Sequence, residues 1–142
     1  MNSFDAILLI DDDESTNFYH RLVIEDWGLS ETIITVKNGH AALELLQADP
    51  RFPSYSAVLI LLDMNMPIMG GFEFMEEYQK LPSALRATQS VIMLTSSIYP
   101  ADEKRATNYP DIKAFYSKPL KKQDLNNVLA KIKANLNQEN LS

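Results

Sequence analysis

Three apolar runs in the sequence each end abruptly at a residue with a polar side chain. The runs and the residues that follow them are Ala6 to Ile10 with Asp11, Ala57 to Leu62 with Asp63, and Val91 to Leu94 with Thr95. A short apolar run without polar alternation is typical of a strand that is buried on both faces, as in a parallel sheet. The three runs therefore predict the central strands of such a sheet.

The first half of the chain alternates between this strand pattern and helical patterns. Apolar residues from Ser15 to Trp27 recur at helical spacing, and Gly28 follows where a helix would stop. Thr32 to Val36 is β-branched and predicts a second strand, after which Asn38 can cap a second helix. The apolar positions of the first predicted helix are Phe18, Tyr19, Leu22, Val23 and Trp27.

The second half repeats the alternation. Phe72 to Leu81 is helical and ends before Pro82, Pro100 opens a polar fourth helix, and Ile112 to Tyr116 predicts the fifth strand. The apolar stripe of the last helix consists of Leu125, Val128, Leu129, Ile132 and Leu136. Five strands alternating with five helices predict an α/β fold, an open and mostly parallel sheet with helices on both faces. We expect one domain over residues 1–142, with a core at 4–136 and a polar tail at 137–142.

Composition excludes several classes of function. The 142 residues carry 13 Lys and Arg against 19 Asp and Glu, a net charge of -6, which disfavours nucleic acids and anionic membranes as partners. There is no cysteine, so disulfides, thiolate metal sites and cysteine nucleophiles are excluded. No positively charged leader is visible, and no apolar run approaches the roughly 18 residues of a membrane span. We expect a cytoplasmic protein.

Polar residues at the strand ends are the candidates for chemistry, because ligands of such sheets collect outside the carboxyl ends of the strands. The candidates are Asp11, Asp12, Asp63, Thr95 and Lys118. Three neighbouring carboxylates cannot all stay ionised without a counter-charge, and Mg²⁺ is the cation that such oxygen ligands suit. One aspartate would remain free to attack phosphorus, with an ammonium and a hydroxyl to bind the transferring oxygens. The set therefore predicts a phosphoryl acceptor site.

Each candidate also has a purely structural interpretation. Asp11 and Asp12 would suit a solvated helix start, and Asp63 an Asx turn. Thr95, with the serines after it, would suit a helix cap, and Lys118 a simple turn before Pro119. Their joint placement at successive strand ends is what favours the functional interpretation.

Four segments resemble the signature segments of the response-regulator receiver domain. They are Ile7 to Asp12, Asp63 to Gly71, Met93 to Ser96 and Phe115 to Pro119. The resemblance covers nearly the whole chain and implies a doubly wound, flavodoxin-like sheet in the order 2-1-3-4-5. It also implies a response regulator of a two-component phosphorelay, in which phosphorylation shifts the protein between two conformations.

The resemblance implies a role for each site residue. Asp63 would be the phosphorylated residue, and Lys118 would contact the phosphoryl group, next to a cis bond to Pro119. Thr95 and Phe115 would form the switch pair, read out on the fourth helix, fifth strand and fifth helix. The implied ligands of Mg²⁺ are Asp11, Asp12, Asp63 and the backbone carbonyl of Asn65.

The implied partners are a histidine kinase or a histidine phosphotransfer protein as donor and an unidentified protein as receiver of the signal. The chain would not be a turnover enzyme. We expect no direct contact with nucleic acid or membrane, and homodimerisation on phosphorylation stays open. Short polar side chains at Asn65 and Ser97 leave room for an attacking water, which favours an acyl phosphate lifetime of minutes.

The sequence departs from the receiver pattern at two places. Gly70 stands where the family usually has an aspartate before the third helix, and Asn108 to Ala114 replaces the usual Gly-Ala turn before the fifth strand. We interpret Asp13 as a helix cap, and both His20 and His40 as surface residues.

Two alternative functions stay open at this point. A phosphohydrolase of the haloacid-dehalogenase kind also uses an aspartate nucleophile with Mg²⁺, but it requires a second acid at the position of Asn65. A receiver-like adaptor that is never phosphorylated is the other alternative, although no acid or lysine of the receiver pattern is missing.

Overall fold

The five predicted strands form one parallel sheet. The computed structural model describes residues 3–141, with side chains as far as Ile132. The strands are paired in the order β2-β1-β3-β4-β5, and every pair is parallel. Their bounds are β1 Ala6–Ile10, β2 Ile33–Val36, β3 Val58–Asp63, β4 Gln89–Thr95 and β5 Ile112–Ser117. The expected fold class and strand order are confirmed.

Six α-helices cover the sheet in the described residues, one more than predicted. They are α1 Glu14–Trp27, α2 Gly39–Ala48, α3 Gly71–Tyr78, α4 Ser83–Arg86, α5 Pro100–Ala106 and α6 Lys122–Leu141. The additional helix α4 follows Pro82, whose φ of -53° is already that of a helix start. The same proline was correctly predicted to follow the end of α3, but that helix ends at Tyr78 rather than Leu81.

The last helix is longer than the pattern predicts. It continues through Leu141, so most of the expected polar tail is helical. The segment from residue 137 to 141 contains neither Gly nor Pro, and nothing in it forces a helix to stop. The predicted stripe position Leu136 lies outside the residues whose side chains are described.

Two apolar cores lie on opposite faces of the sheet. Alternate residues of the central strands enter each core, because successive side chains of a strand point to opposite faces. On one face, the strands pack against residues of α2, α3 and α5, including Leu46, Phe74 and Ala106. On the other face, they pack against α1 and α6 through Ile24, Leu125 and Val128. The centre of the sheet is thus buried on both sides.

The buried face of α1 differs from the predicted one. Phe18, Tyr19 and Leu22 are exposed, Phe18 by 63% of its surface, whereas Asn17 and His20 are buried. Together with Ile24, these two polar residues form the side of α1 that faces the sheet. The prediction was wrong for Phe18, Tyr19 and Leu22, whereas Trp27 packs against the core. Asn17 and His20 take core positions because they bind backbone groups in the segments that follow β1 and β5. Asp13 caps the helix, as expected, by accepting a hydrogen bond from the Ser15 backbone N–H at 2.9 Å.

The unusual turn before β5 is held by an aromatic cluster. The ring of Tyr109 stacks on Phe72 with centroids 6.1 Å apart, and its hydroxyl donates to the Glu76 carboxylate. Arg105 covers the same Phe72 ring at 4.3 Å from its centroid. The turn therefore ties α3 to α5 at the start of the edge strand β5.

No helix among residues 3–141 combines the length and hydropathy that a membrane crossing requires.

Candidate functional site

The three predicted acids meet at the carboxyl edge of the sheet. Asp63 is the last residue of β3, and Asp11 follows the last residue of the neighbouring strand β1. Carboxylate oxygens of Asp11, Asp12 and Asp63 all lie within 4.8 Å of one another. Asp63 is only 2% exposed and Asp11 is also buried, whereas Asp12 is exposed to solvent. The result is an acidic cluster with one open side.

The ammonium group of Lys118 lies between two of these acids. Its Nζ is 2.8 Å from Asp11 Oδ2 and 3.0 Å from Asp63 Oδ1. The peptide bond between Lys118 and Pro119 is cis, as the resemblance implies. The Lys118 backbone N–H donates to the Thr95 carbonyl at 2.8 Å, which places the residue beside the end of β4.

The pKa values of Asp63 and Lys118 are both raised by their surroundings. Burial raises the pKa of Asp63 to about 6, an effect that Lys118 opposes and the nearby Asp11 carboxylate reinforces. Burial alone would lower the pKa of Lys118, but its hydrogen bonds to Asp11 and Asp63 outweigh this, and the pKa is raised. At neutral pH the lysine is charged and Asp63 is ionised.

The two oxygens of Asp63 have different environments. Oδ1 accepts from Lys118 and from the Asn65 backbone N–H at 3.2 Å, so the Asx-type contact of the structural interpretation is also present. Oδ2 is buried and has no hydrogen-bond partner. An unpaired buried carboxylate oxygen is unfavourable, and such a group requires an explanation.

Thr95 lies at the end of β4, fully buried. Its Oγ1 accepts from Asn65 Nδ2 at 3.3 Å and donates to the Ser97 carbonyl at 3.0 Å. The residue at the N-cap of α5 is Tyr99, and no side chain caps that helix. The interpretation of Thr95 as a helix cap is therefore wrong, and its hydroxyl instead bonds to Asn65, whose backbone N–H binds Asp63.

Phe115 lies two strands away from Asp63, on β5. A register shift between Val91 and Ile92 of β4 sets β5 so that Phe115 pairs with Met93 and Ser117 pairs with Thr95. The Phe115 ring is partly buried and packs against the core on the α5 side. It also lines a cleft of about 290 Å³ between α5 and β5. The predicted switch residues Thr95 and Phe115 thus lie on neighbouring strands, two register positions apart.

The loop between β3 and α3 packs tightly beneath the site. A Cβ on Gly71 would lie 2.9 Å from both the Asp63 carbonyl and the Met64 Cα, whereas one on Gly70 would meet its nearest neighbour at 3.3 Å. Ile68 has a φ of 70°, a strained conformation for a β-branched residue, and is 91% exposed. The close packing at Gly71 fixes the backbone that carries Asp63.

Sequence reasoning missed two residues next to the site. His20, expected on the surface, is 2% exposed, and its Nε2 accepts from the Leu120 backbone N–H at 3.1 Å. Asn17 Nδ2 donates to the Asp11 carbonyl at 3.0 Å. Their spacing of three residues on α1 was a signal that could have identified them, because it places both on one face of the helix. His40 is exposed, as expected.

Comparisons with known proteins agree with this geometry. A family model described as response regulator receiver domain matches residues 7–130. The crystal structure of a two-component response regulator from Cytophaga hutchinsonii is 33% identical, with a TM-score of 0.80, over 92% of this chain and 98% of that one.

Two curated proteins are similar in sequence. Two-component response regulator ORR41 from Oryza sativa subsp. japonica is 29% identical over 89% of this chain and 93% of its own length. Sensor histidine kinase GacS from Pseudomonas protegens is 27% identical over 88% of this chain, which spans only 13% of that kinase. Fold, acidic cluster and family match agree, and the chain belongs to the response regulator receiver domain family.

Proposed function

We propose that this receiver domain accepts a phosphoryl group on Asp63 from the phosphohistidine of a histidine kinase or histidine phosphotransfer protein. The observation that carries the proposal is the buried Oδ2 of Asp63, which lacks a partner while Oδ1 is held by Lys118 and the Asn65 N–H. A purely structural carboxylate would have both oxygens satisfied. The free oxygen is the candidate nucleophile or metal ligand.

The donor set of the cluster fits Mg²⁺. Three carboxylates face one ammonium, so the cluster has an excess of two negative charges that a divalent cation would neutralise. All the available ligand atoms are oxygens, which Mg²⁺ prefers, and the exposed Asp12 leaves one side open for water or phosphate. We assign Asp11, Asp12, Asp63 and the backbone carbonyl of Asn65 as the residues that would hold the ion. When bound, the ion would neutralise charge on the transferring phosphoryl oxygens.

The chain's own residues supply the rest of the chemistry. A carboxylate oxygen of Asp63 attacks phosphorus, an O–P bond forms, and the N–P bond of the donor breaks. The donor nitrogen keeps the bonding electron pair and takes a proton from solvent. Lys118 contributes a positive charge beside Asp63, and the Thr95 hydroxyl contributes a hydrogen-bond donor. Because the phosphoryl group is transferred to the protein's own Asp63, each molecule accepts one group and can accept another only after the acyl phosphate has decayed.

The same site couples to the surface through Thr95 and Phe115. We propose that the Thr95 hydroxyl exchanges its bond to the Ser97 carbonyl for one to the phosphoryl group, and that the Phe115 ring then turns inward. The change would alter the surface formed by α5, β5 and α6. These elements are the fourth helix, fifth strand and fifth helix of the sequence prediction. The signal then passes by contact with another protein.

The test is phosphorylation by a small donor. We expect phosphoramidate with Mg²⁺ to add one phosphoryl group to the intact protein, detected by mass spectrometry, and expect none with EDTA or in Asp63→Asn. Uptake by Asp63→Asn equal to that of the wild type would refute the assignment. Continuous release of phosphate from excess donor, with no phosphoprotein at any time, would favour the phosphohydrolase alternative.

Asp12 and Asp13 provide a matched pair of variants for the metal. Both are exposed acids in one run, but only Asp12 belongs to the cluster, because Asp13 caps α1. We expect Asp12→Asn to weaken Mg²⁺ binding in titration calorimetry and Asp13→Asn to leave it within about twofold, since an asparagine still caps a helix. Equal losses in the two variants would contradict the ligand assignment.

A further inference from the structure

The position of the Lys118 ammonium depends on its backbone as well as on its contacts with Asp11 and Asp63. The segment that follows β5 is bonded to two different elements. The Lys118 N–H donates to the Thr95 carbonyl of β4, and the Leu120 N–H donates to His20 Nε2 of α1. The second bond is buried and joins residues 100 positions apart in sequence. The Leu120 side chain also anchors the segment, because it is buried in the core against α1 and α6. The bond to His20 fixes the backbone beside it.

His20 is suited to accept this bond. A ring nitrogen that accepts a hydrogen bond carries no proton, so the imidazole is neutral, with its proton on Nδ1. Burial lowers the pKa of His20, which keeps the ring in this form at neutral pH. Leucine or phenylalanine at this position would fill the space but leave the Leu120 N–H buried without a partner.

Asn17 acts on the opposite side of the site from the same helix face. Its Nδ2 donates to the Asp11 carbonyl at 3.0 Å and lies 3.4 Å from the Val36 carbonyl. One helix face therefore binds the backbone of Asp11 and the backbone two residues after Lys118. Helix α1 thereby fixes the backbone beside both members of the Asp11–Lys118 ion pair.

We infer that His20 is a positioning residue, which holds the segment of Lys118 so that its ammonium lies between Asp11 and Asp63. The inference rests on the proposed function, because it assigns His20 to the phosphorylation reaction through Lys118. No atom of His20 needs to contact the phosphoryl group. The bond to Leu120 N–H is what transmits its effect.

The experiment compares phosphorylation rates of three variants with phosphoramidate at saturating Mg²⁺. His20→Leu removes the acceptor, His20→Gln retains one at the end of a side chain of similar reach, and His40→Leu is the control on an exposed histidine. We expect His20→Leu to slow the reaction by about 10- to 100-fold, because a shift of about 1 Å in a positioned group can cost about 100-fold in rate. Mg²⁺ affinity should stay within about twofold, His20→Gln should recover most of the rate, and His40→Leu should match the wild type.

A second background isolates the path through Lys118. In Lys118→Ala, which has no ammonium to position, His20→Leu should change the rate by less than about twofold, since coupled residues are not additive. Equal slowing by His20→Leu in both backgrounds would overturn the inference, as would loss of Mg²⁺ affinity in parallel with the rate. If His20→Leu does not fold, His20→Gln is compared with His20→Asn, whose shorter acceptor cannot reach; equal rates of these two would also overturn it.

The outcomes separate the inference from the proposed function. A wild-type protein that takes up no phosphoryl group on Asp63 refutes the proposed function and, with it, the role of His20. A wild-type protein that is phosphorylated, while folded His20→Leu reacts at the same rate, refutes the inference alone.

Discussion

Replacing Asp63 by asparagine should stabilise the metal-free protein at neutral pH. The carboxylate is 2% exposed, lies beside Asp11, and has an unpaired buried oxygen. Its pKa is about 6 in the folded protein against an ordinary 3.8. At 1.36 kcal/mol per pH unit, ionised Asp63 therefore costs about 3 kcal/mol of folding free energy. Water at the open side of the cluster screens part of this, and we expect a gain of about 1–2 kcal/mol in Asp63→Asn.

The sign of the pH dependence follows from the raised pKa. The folded protein binds the Asp63 proton more tightly than the unfolded chain does, and this tighter binding stabilises the folded state. The stabilisation is fully present below about pH 3.8 and is lost as the pH rises through about 6. The difference between Asp63→Asn and the wild type should thus be large at pH 7.5 and small at pH 4. Lys118 is not left unpaired in Asp63→Asn, because its Nζ also bonds to Asp11 Oδ2, at 2.8 Å in the wild type.

Urea unfolding in EDTA at the two pH values measures the difference. Asp13→Asn is the control, because hydrogen bonds from Ser15 lower the pKa of Asp13, and its replacement should give no gain. Addition of Mg²⁺ should stabilise the wild type more than Asp63→Asn, since ligand binding favours the folded state. An Asp63→Asn protein that is less stable than the wild type at pH 7.5 in EDTA would refute the reasoning.

Three further predictions concern the loop under the site, the buried Tyr78–Gln89 pair at the opposite edge of the sheet, and the lifetime of the acyl phosphate. Gly71→Ala should slow phosphorylation strongly, because its Cβ would meet backbone at 2.9 Å, whereas Gly70→Ala, with 3.3 Å available, should react at nearly the wild-type rate; equal rates under phosphoramidate would contradict this. Tyr78→Phe should lower the free energy of unfolding by about 1–3 kcal/mol in urea titrations, because it leaves Gln89 Oε1 buried without its 2.7 Å donor; an unchanged midpoint would count against it. The acyl phosphate should decay within minutes, since the exposed Ser97 leaves water access to the site, and a half-life of hours by radiolabel retention would exclude this.

The strand ends could be predicted from the sequence because burial on both faces leaves a simple signal. An apolar run such as Ala57 to Leu62 stops where the backbone reaches the sheet edge, and the residue after it, Asp63, is placed by that stop alone. The parallel order then brings Asp11 and Asp63 together, since their strands pair directly. Most of the acidic cluster follows from these two facts.

The face of α1 could not be predicted in the same way. Helical periodicity assigns apolar residues to the core, but here the sheet-facing positions of α1 also meet backbone groups of the segments that follow β1 and β5. Asn17 and His20 satisfy two of these groups, and the apolar Phe18 and Leu22 are left in solvent. The helix α4 was missed for a related reason, because Pro82 was interpreted only as a helix end.

The fluorescence of Trp27 can report on the surroundings of α1. It is the only tryptophan of the chain and lies at the last residue of α1, partly buried against the core on that face of the sheet. At 1.5 Å per residue, the indole is about 20 Å along the helix from the acidic cluster. A bound ion or phosphoryl group cannot quench it by contact. Any change of its emission on phosphorylation would instead report altered packing at the far end of α1, the helix on which Asn17 and His20 lie.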